Sequence, residues 1–200
     1  MAKERLKSPR ARLFVALDLP EALRQGIVAW GRKALADPAL RPVAPQSLHV
    51  TLAFLGWLPE KEIPRLAEIV EGAGGPAPRL ELEDPVPRPA RGRPRLFALP
   101  ASSPAAVDLQ AGLQTRLVAA RLYEPEKRPF WPHVTVARVR REERGSSRPA
   151  FVSRPPGALP KALLQATDCV RMTLYRSELK PQGAEYTPLA QVKLPAGGRQ

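Results

Sequence analysis

Apolar and polar positions along this chain fall into short blocks whose period changes several times. RLFVALDL (12–19) packs branched and aromatic side chains into the length of one strand. Pro20 then opens EALRQGIVAWGRKALA (21–36), where Leu23, Ile27, Trp30 and Leu35 recur near helical spacing. SLHVTLAFL (47–55) reads as a second strand and PEKEIPRLAEIVEGAG (59–74) as a second helix ended by glycines. Two short strands are predicted around Arg79–Glu83 and Arg95–Leu99, with a proline-rich connection between them. A third helix over Pro104–Leu122 puts Val107, Leu109, Leu113 and Leu117 on or near one stripe, and Phe130–Val139 returns to a strand.

The segment 140–157 is charged and rich in Pro, Ser and Gly, which predicts a mobile loop. ALLQATDCVRMTLYRSEL (162–179) and AEYTPLAQVKL (184–194) are expected to be closing strands joined by the turn LKPQG. The order strand, helix, strand occurs twice, over 12–55 and 95–139. Two similar lobes that set equivalent strands side by side would produce it, in an α+β fold with largely antiparallel sheets. The chain is expected to form one domain over 1–200, with an ordered core over roughly 10–194 and mobile tails at both ends.

Composition adds a preference for anions. The formal net charge is +13, carried by 24 arginines and 8 lysines. Guanidinium groups suit the paired oxygens of phosphate, so RNA is a natural ligand class. A GC-rich genome would inflate Arg as well, and 25 prolines and 13 glycines fit that origin, so charge alone does not decide. No apolar run approaches the roughly 18 residues of a membrane span. The N-terminal MAKERLKSPRAR is basic, but the apolar stretch after it is short and holds Asp18, unlike a secretory signal. Cys169 is the single cysteine, so no internal disulfide and no cysteine metal framework can form. A cytoplasmic protein is the expectation.

The chain has only two histidines, His49 and His133, and each opens the tripeptide His-Val-Thr followed by an apolar residue. With six threonines in 200 residues, both histidines would find one two positions on with a chance of about 0.1%. In a strand, His49 and Thr51 share one face while Val50 and Leu52 take the other; His133 and Thr135 stand likewise against Val134 and Val136. If the lobes face each other, two imidazoles and two hydroxyls meet. Two histidines and a distant cysteine fall short of a metal ligand set, and no G-x-S-x-G marks a serine nucleophile. Acid–base chemistry by a histidine pair is what remains, with threonine hydroxyls donating to phosphate oxygens and no cofactor or metal.

The paired motifs HVTL (49–52) and HVTV (133–136) resemble those of the two-histidine phosphoesterase superfamily, in particular its RNA 2′,3′-cyclic phosphodiesterases, also called 2′-5′ RNA ligases. The resemblance runs through RLFVALDLP, LHVTLAFLG, RPRLFALP, RPFWPHVTVAR and LYRSELKPQGAEYTPL. It implies a bilobal α+β fold with pseudo-symmetric lobes around a central cleft, acting on RNA or oligonucleotide ends that carry a 2′,3′-cyclic phosphate. A monomer is expected, though nothing in the sequence fixes the oligomeric state. It also implies His49 as proton donor and His133 as proton acceptor, with Thr51, Thr135 and Arg138 on the phosphate and Phe97 placed to stack on a base. Two other activities remain open: a non-catalytic RNA-end or nucleotide-binding protein, and ATP-independent 2′-5′ ligation.

Strict alternation would put Arg138 on the face opposite His133, so a bulge or an early strand end is required. By residue type Phe97, Phe130 and Trp131 each read as core or cleft wall ahead of a stacking platform, and Tyr186 as structural. The cluster Arg88, Arg91, Arg93 and Arg95 is either a track for an RNA backbone or solvated loop charge.

Overall fold

In a computed structural model the described residues are 8–180 and 183–196. The two tails of 1–7 and 197–200, and part of the LKPQG turn, lie outside them. Ten strands and three α-helices follow one another as β1 (Arg10–Asp18), α1 (Glu21–Ala34), β2 (Leu40–Pro42), β3 (His49–Pro59), α2 (Ile63–Gly72), β4 (Arg79–Leu82), β5 (Val86–Arg88), β6 (Leu96–Ser102), α3 (Pro104–Ala119), β7 (His133–Val139), β8 (Thr167–Asp168), β9 (Arg171–Lys180) and β10 (Gly183–Lys193).

The strands run β10-β9-β1-β3-β7-β6-β4-β8, with β2 added on β7 and β5 on β6. Every strand pair is antiparallel. The two halves meet at β3 and β7, whose only paired rung is Val50 opposite Val134. One face of the sheet is apolar: Leu13, Val15 and Leu17 of β1, Val50 and Leu52 of β3, Val134 and Val136 of β7, and Met172 and Leu174 of β9 all enter one core. α2 lies on β9 and β10, and α3 packs against α2, β3 and β4. The opposite face is left for polar side chains, and the histidine motifs stand there.

α3 starts where Ser103 Oγ accepts the Ala106 N–H at 3.1 Å. Its buried stripe is Ala106, Gln110, Leu113 and Leu117, while Val107 is 42% exposed. The expected stripe keeps Leu113 and Leu117, but Ala106 and Gln110 are buried in its first turns where Val107 and Leu109 were expected. The expected closing strand at 162–179 is broken: Lys161–Leu164 form a 3-10 turn and β8 and β9 follow as separate strands on different neighbours. β5, in the proline-rich connection, was not expected.

The 140–157 segment forms no helix or named strand, as expected, but it is tied at both ends. Glu142 pairs with Arg93 at 2.8 Å. The buried Asp37 carboxylate accepts the Ser153 N–H at 2.9 Å, the Ser153 hydroxyl at 2.7 Å and the Arg154 N–H at 2.8 Å. Among the described residues, no helix is long and apolar enough to cross a membrane.

Candidate active site

The Val50–Val134 rung brings the two motifs together. In an antiparallel pair, residues flanking a rung face each other diagonally reversed, so His49 comes beside Thr135 and Thr51 beside His133. All four side chains then stand on the polar face around one point. The residues between them are buried: Val50 and Val134 are both 0% exposed. The proximity is felt electrostatically, because His133 and Arg138 each disfavour the imidazolium of His49.

Both rings are held by backbone two residues upstream. His133 Nδ1–H donates to the Trp131 carbonyl at 2.7 Å, and His49 is hydrogen-bonded to the Ser47 backbone. At His133 a proton held on Nδ1 leaves Nε2 free to exchange one with substrate. His49 Nε2 and the Thr51 hydroxyl are hydrogen-bonded at 3.1 Å.

Burial lowers the pKa of His49 to about 4, with His133 and Arg138 adding to it against the opposing Ser47 hydrogen bond. His133 is also lowered, first by burial and then by Arg88, with the Trp131 carbonyl opposing. Both rings are neutral near pH 7 in the free protein. An anion between them would favour the charged forms.

Arg138 joins the site through a bulge. Along β6, Phe97 pairs with Ala137 but the next residue, Ala98, pairs with Thr135, so Val136 is an extra residue in β7. The extra residue resets the alternation, and Arg138 emerges exposed while both Val136 and Ala137 are buried. β3 repeats the device: Val15 pairs with Ala53 and Ala16 with Thr51, leaving Leu52 extra. The residue that corresponds to Arg138 in the first motif is thus Phe54, which is 57% exposed.

Phe97 takes the core place that its residue type predicts, not the base-stacking one that the resemblance implies. It is 3% exposed and lies opposite Ala137 on the apolar face, so its ring fills the core and offers no surface to a base. The aromatic side chains at the site are others. Phe14 stacks on His49 with ring centroids 5.1 Å apart, and Tyr186 meets His49 edge-on at 5.5 Å. Trp131 stacks on His133 at 4.2 Å, and the Arg88 guanidinium lies 3.8 Å from the same indole centroid. Two groups so close to one centroid must take opposite faces, so the indole is sandwiched.

Behind His49 lies a carboxylate that the motif reading missed. Asp18, 5% exposed, pairs with His49 across β1 and β3. It accepts the Thr173 hydroxyl at 2.9 Å and the Tyr175 hydroxyl at 2.7 Å, and Arg171 Nε lies 2.8 Å away. Tyr175 in turn stacks on Phe14 at 5.2 Å. Alternation along β1, which puts Phe14, Ala16 and Asp18 on one face, is the signal that could have found it. Cys169 is buried, and burial pushes its thiol up to about 12, so it supplies no thiolate nucleophile. Among the described residues, no three or more His, Cys, Asp or Glu side chains are grouped as metal ligands.

Comparison with known proteins bears on this arrangement. Residues 19–158 match the family described as the 2′-5′ RNA ligase superfamily. An RNA 2′,3′-cyclic phosphodiesterase of Thermus thermophilus is 33% identical over 197 residues, covering 92% of this chain and 90% of the relative. The Escherichia coli protein of that name is 29% identical, covering 89% of this chain and 93% of its own. A Thermus thermophilus crystal structure superposes with a TM-score of 0.74 at 32% identity, covering 92% of this chain and 98% of that one. Escherichia coli LigT complexed with 3′-AMP gives a TM-score of 0.72 at 26% identity, covering 94% of this chain and 99% of that one.

Proposed function

Since the chain belongs to the 2′-5′ RNA ligase superfamily, we propose that it hydrolyses the 2′,3′-cyclic phosphate of RNA ends. The observation that carries this reading is the pairing of two His-x-Thr motifs around the Val50–Val134 rung. In the proposed step, water attacks phosphorus and gives a proton to His133 Nε2. The P–O3′ bond breaks, and His49 protonates the leaving O3′. The products are a terminal 2′-phosphate and a free 3′-hydroxyl. His49 ends neutral and His133 charged, and solvent returns the proton to His49.

The non-bridging oxygens gain charge in the transition state. Thr51, Thr135 and Arg138 are the donors proposed to meet it. Burial holds His49 neutral in the free protein, so as the acid it must gain its proton when substrate binds. The phosphodiester anion beside the ring makes the imidazolium favourable when it is needed. No cofactor or metal enters the proposed step, and the protein is proposed to act as a cytoplasmic monomer.

The test is incubation of purified protein with an oligonucleotide ending in a 2′,3′-cyclic phosphate, with the product compared to 2′- and 3′-phosphate standards by chromatography. A 2′-phosphate is expected. A 3′-phosphate would exchange the roles of His49 and His133. Binding without turnover would leave a nucleotide-binding protein, and joined products with a 2′-5′ linkage would show ligation.

A further inference from the structure

β3 carries two irregularities, and the second is not needed to place the histidine or threonine. Leu13 pairs with Gly56 but Phe14 pairs with Phe54, so Leu55 is a second extra residue. Gly56 has φ +70°, a backbone conformation that side chains disfavour and glycine permits. β1 itself is regular, running without a shift against β9. Arg10, Arg12, Phe14, Ala16 and Asp18 therefore share the polar face.

Opposite residues in an antiparallel pair share a face. Asp18 opposes His49, Ala16 opposes Thr51, Phe14 opposes Phe54 and Arg12 opposes Trp57. The two bulges thus turn every large polar or aromatic residue of β3 to the site side. His49, Thr51, Phe54 and Trp57 form one line leading away from the cleft. Phe54 is 57% exposed and Trp57 is 60% exposed. They have rings open to solvent, unlike the sandwiched Trp131. Arg12 stands beside Trp57, and Arg10 donates to the Trp57 carbonyl. Among the described residues neither arginine enters an ion pair, and the nearby Glu60 is paired with Arg176 at 3.1 Å.

We propose that Phe54 and Trp57, with Arg12 and Arg10, form a track for the single-stranded RNA leading 5′-ward from the reacting end. Exposed rings beside unpaired guanidinium groups are what a single strand requires: faces for its bases and cations for its phosphates. The line is continuous with His49, and the chain's charge of +13 complements a polyanion. The inference rests on the proposed hydrolysis for its direction, and it makes the protein selective for oligonucleotides over nucleotides.

The experiment compares kcat/KM for a nucleoside 2′,3′-cyclic monophosphate and for a tetranucleotide ending in the same group. The wild type should favour the tetranucleotide. Trp57→Ala should lower kcat/KM for the tetranucleotide about 10-fold, through KM, and leave the mononucleotide unchanged. Trp57→Phe should recover most of the loss, and Arg12→Gln should weaken the salt dependence. Equal effects on both substrates, or none on either, overturn the track. A dimer that Trp57→Ala converts to monomer in sedimentation, with tetranucleotide kinetics unchanged, would make this face an interface between copies instead. If the wild type turns over neither substrate, hydrolysis fails. The track is then judged by fluorescence anisotropy with a labelled 3′-phosphorylated tetranucleotide, and an unchanged Kd in Trp57→Ala overturns it.

Discussion

Arg138 stands on the same side of β7 as His133, five residues away, because Val136 is an extra residue in the pairing with β6. Regular alternation would have turned the guanidinium into the core. The pairing therefore gives the site its cation, which lies close enough to disfavour charge on His49. Arg138→Gln should lower kcat about 100-fold, as expected for loss of a donor to developing charge, with a smaller change in KM. Equal kcat in the variant would place the arginine outside the reaction.

Removing either histidine proposed to carry a proton should be more costly. His49→Ala and His133→Ala are each expected to abolish measurable turnover while circular dichroism remains that of the parent. Thr51→Ala and Thr135→Ala should cost about 10- to 1,000-fold, the range for one charge-stabilising donor. A histidine variant with near-normal turnover is the result that defeats the two-histidine mechanism.

The donor set at the site is imidazole, hydroxyl and guanidinium, which suits proton transfer and anion contact better than metal ligation. Turnover of a cyclic-phosphate oligonucleotide should be the same with and without EDTA. Activity lost to EDTA and restored by zinc or manganese would revive a metal mechanism.

The pH dependence should differ between the free protein and the complex. Burial disfavours the charged imidazoles, so both titrate below the ordinary 6.5, His49 at about 4. Because both imidazoles are lowered, the singly protonated pair is most populated below pH 6.5, and kcat/KM should peak there. Bound phosphodiester favours imidazolium, so the bell for kcat should lie at higher pH. Stability carries the same sign. The unfolded chain takes up the His49 proton near pH 6.5 and the folded one only near 4, so stability falls as pH drops through that window. His49→Gln should flatten this fall in urea titrations. A kcat/KM profile flat across pH 4–8 would show that the imidazoles carry no proton in the reaction.

Asp18→Asn tests the support behind His49. The buried carboxylate accepts from Thr173 and Tyr175, and an amide cannot accept as many hydrogen bonds. The loss should be about 2 kcal/mol, or about 4–8 °C in Tm for a chain of this size. An unchanged Tm would mean that Thr173 and Tyr175 find equivalent partners without the charge.

The histidines and threonines were legible because their two-residue spacing is enough to orient side chains in a strand. The side-by-side placement of the two motif strands follows from the repeat, and the order of the remaining strands does not. Arg138 was legible only as a conflict, since the bulge at Val136 is created by β6, a partner far away in sequence. Phe97 depends on the same pairing: residue type favours the core over base stacking, and its register opposite Ala137 decides it. The cluster of Phe14, Tyr175 and Tyr186 around His49 joins three strands from opposite ends of the chain, and no local pattern announces it. The buried stripe of α3 starts at Ala106 and includes Gln110, and helical spacing of the apolar residues alone does not pick a small or a polar residue for the inner face.

β1 is joined to β3 and to β9 along most of its length, whereas β3 and β7 share one rung. Mechanically, that rung is where those two strands are tied least. Each imidazole takes its ring contacts from its own side of the seam, Phe14, Tyr175 and Tyr186 for His49 and Trp131 for His133. The two walls of the cleft are therefore braced separately, and the gap between the imidazoles is set at the seam.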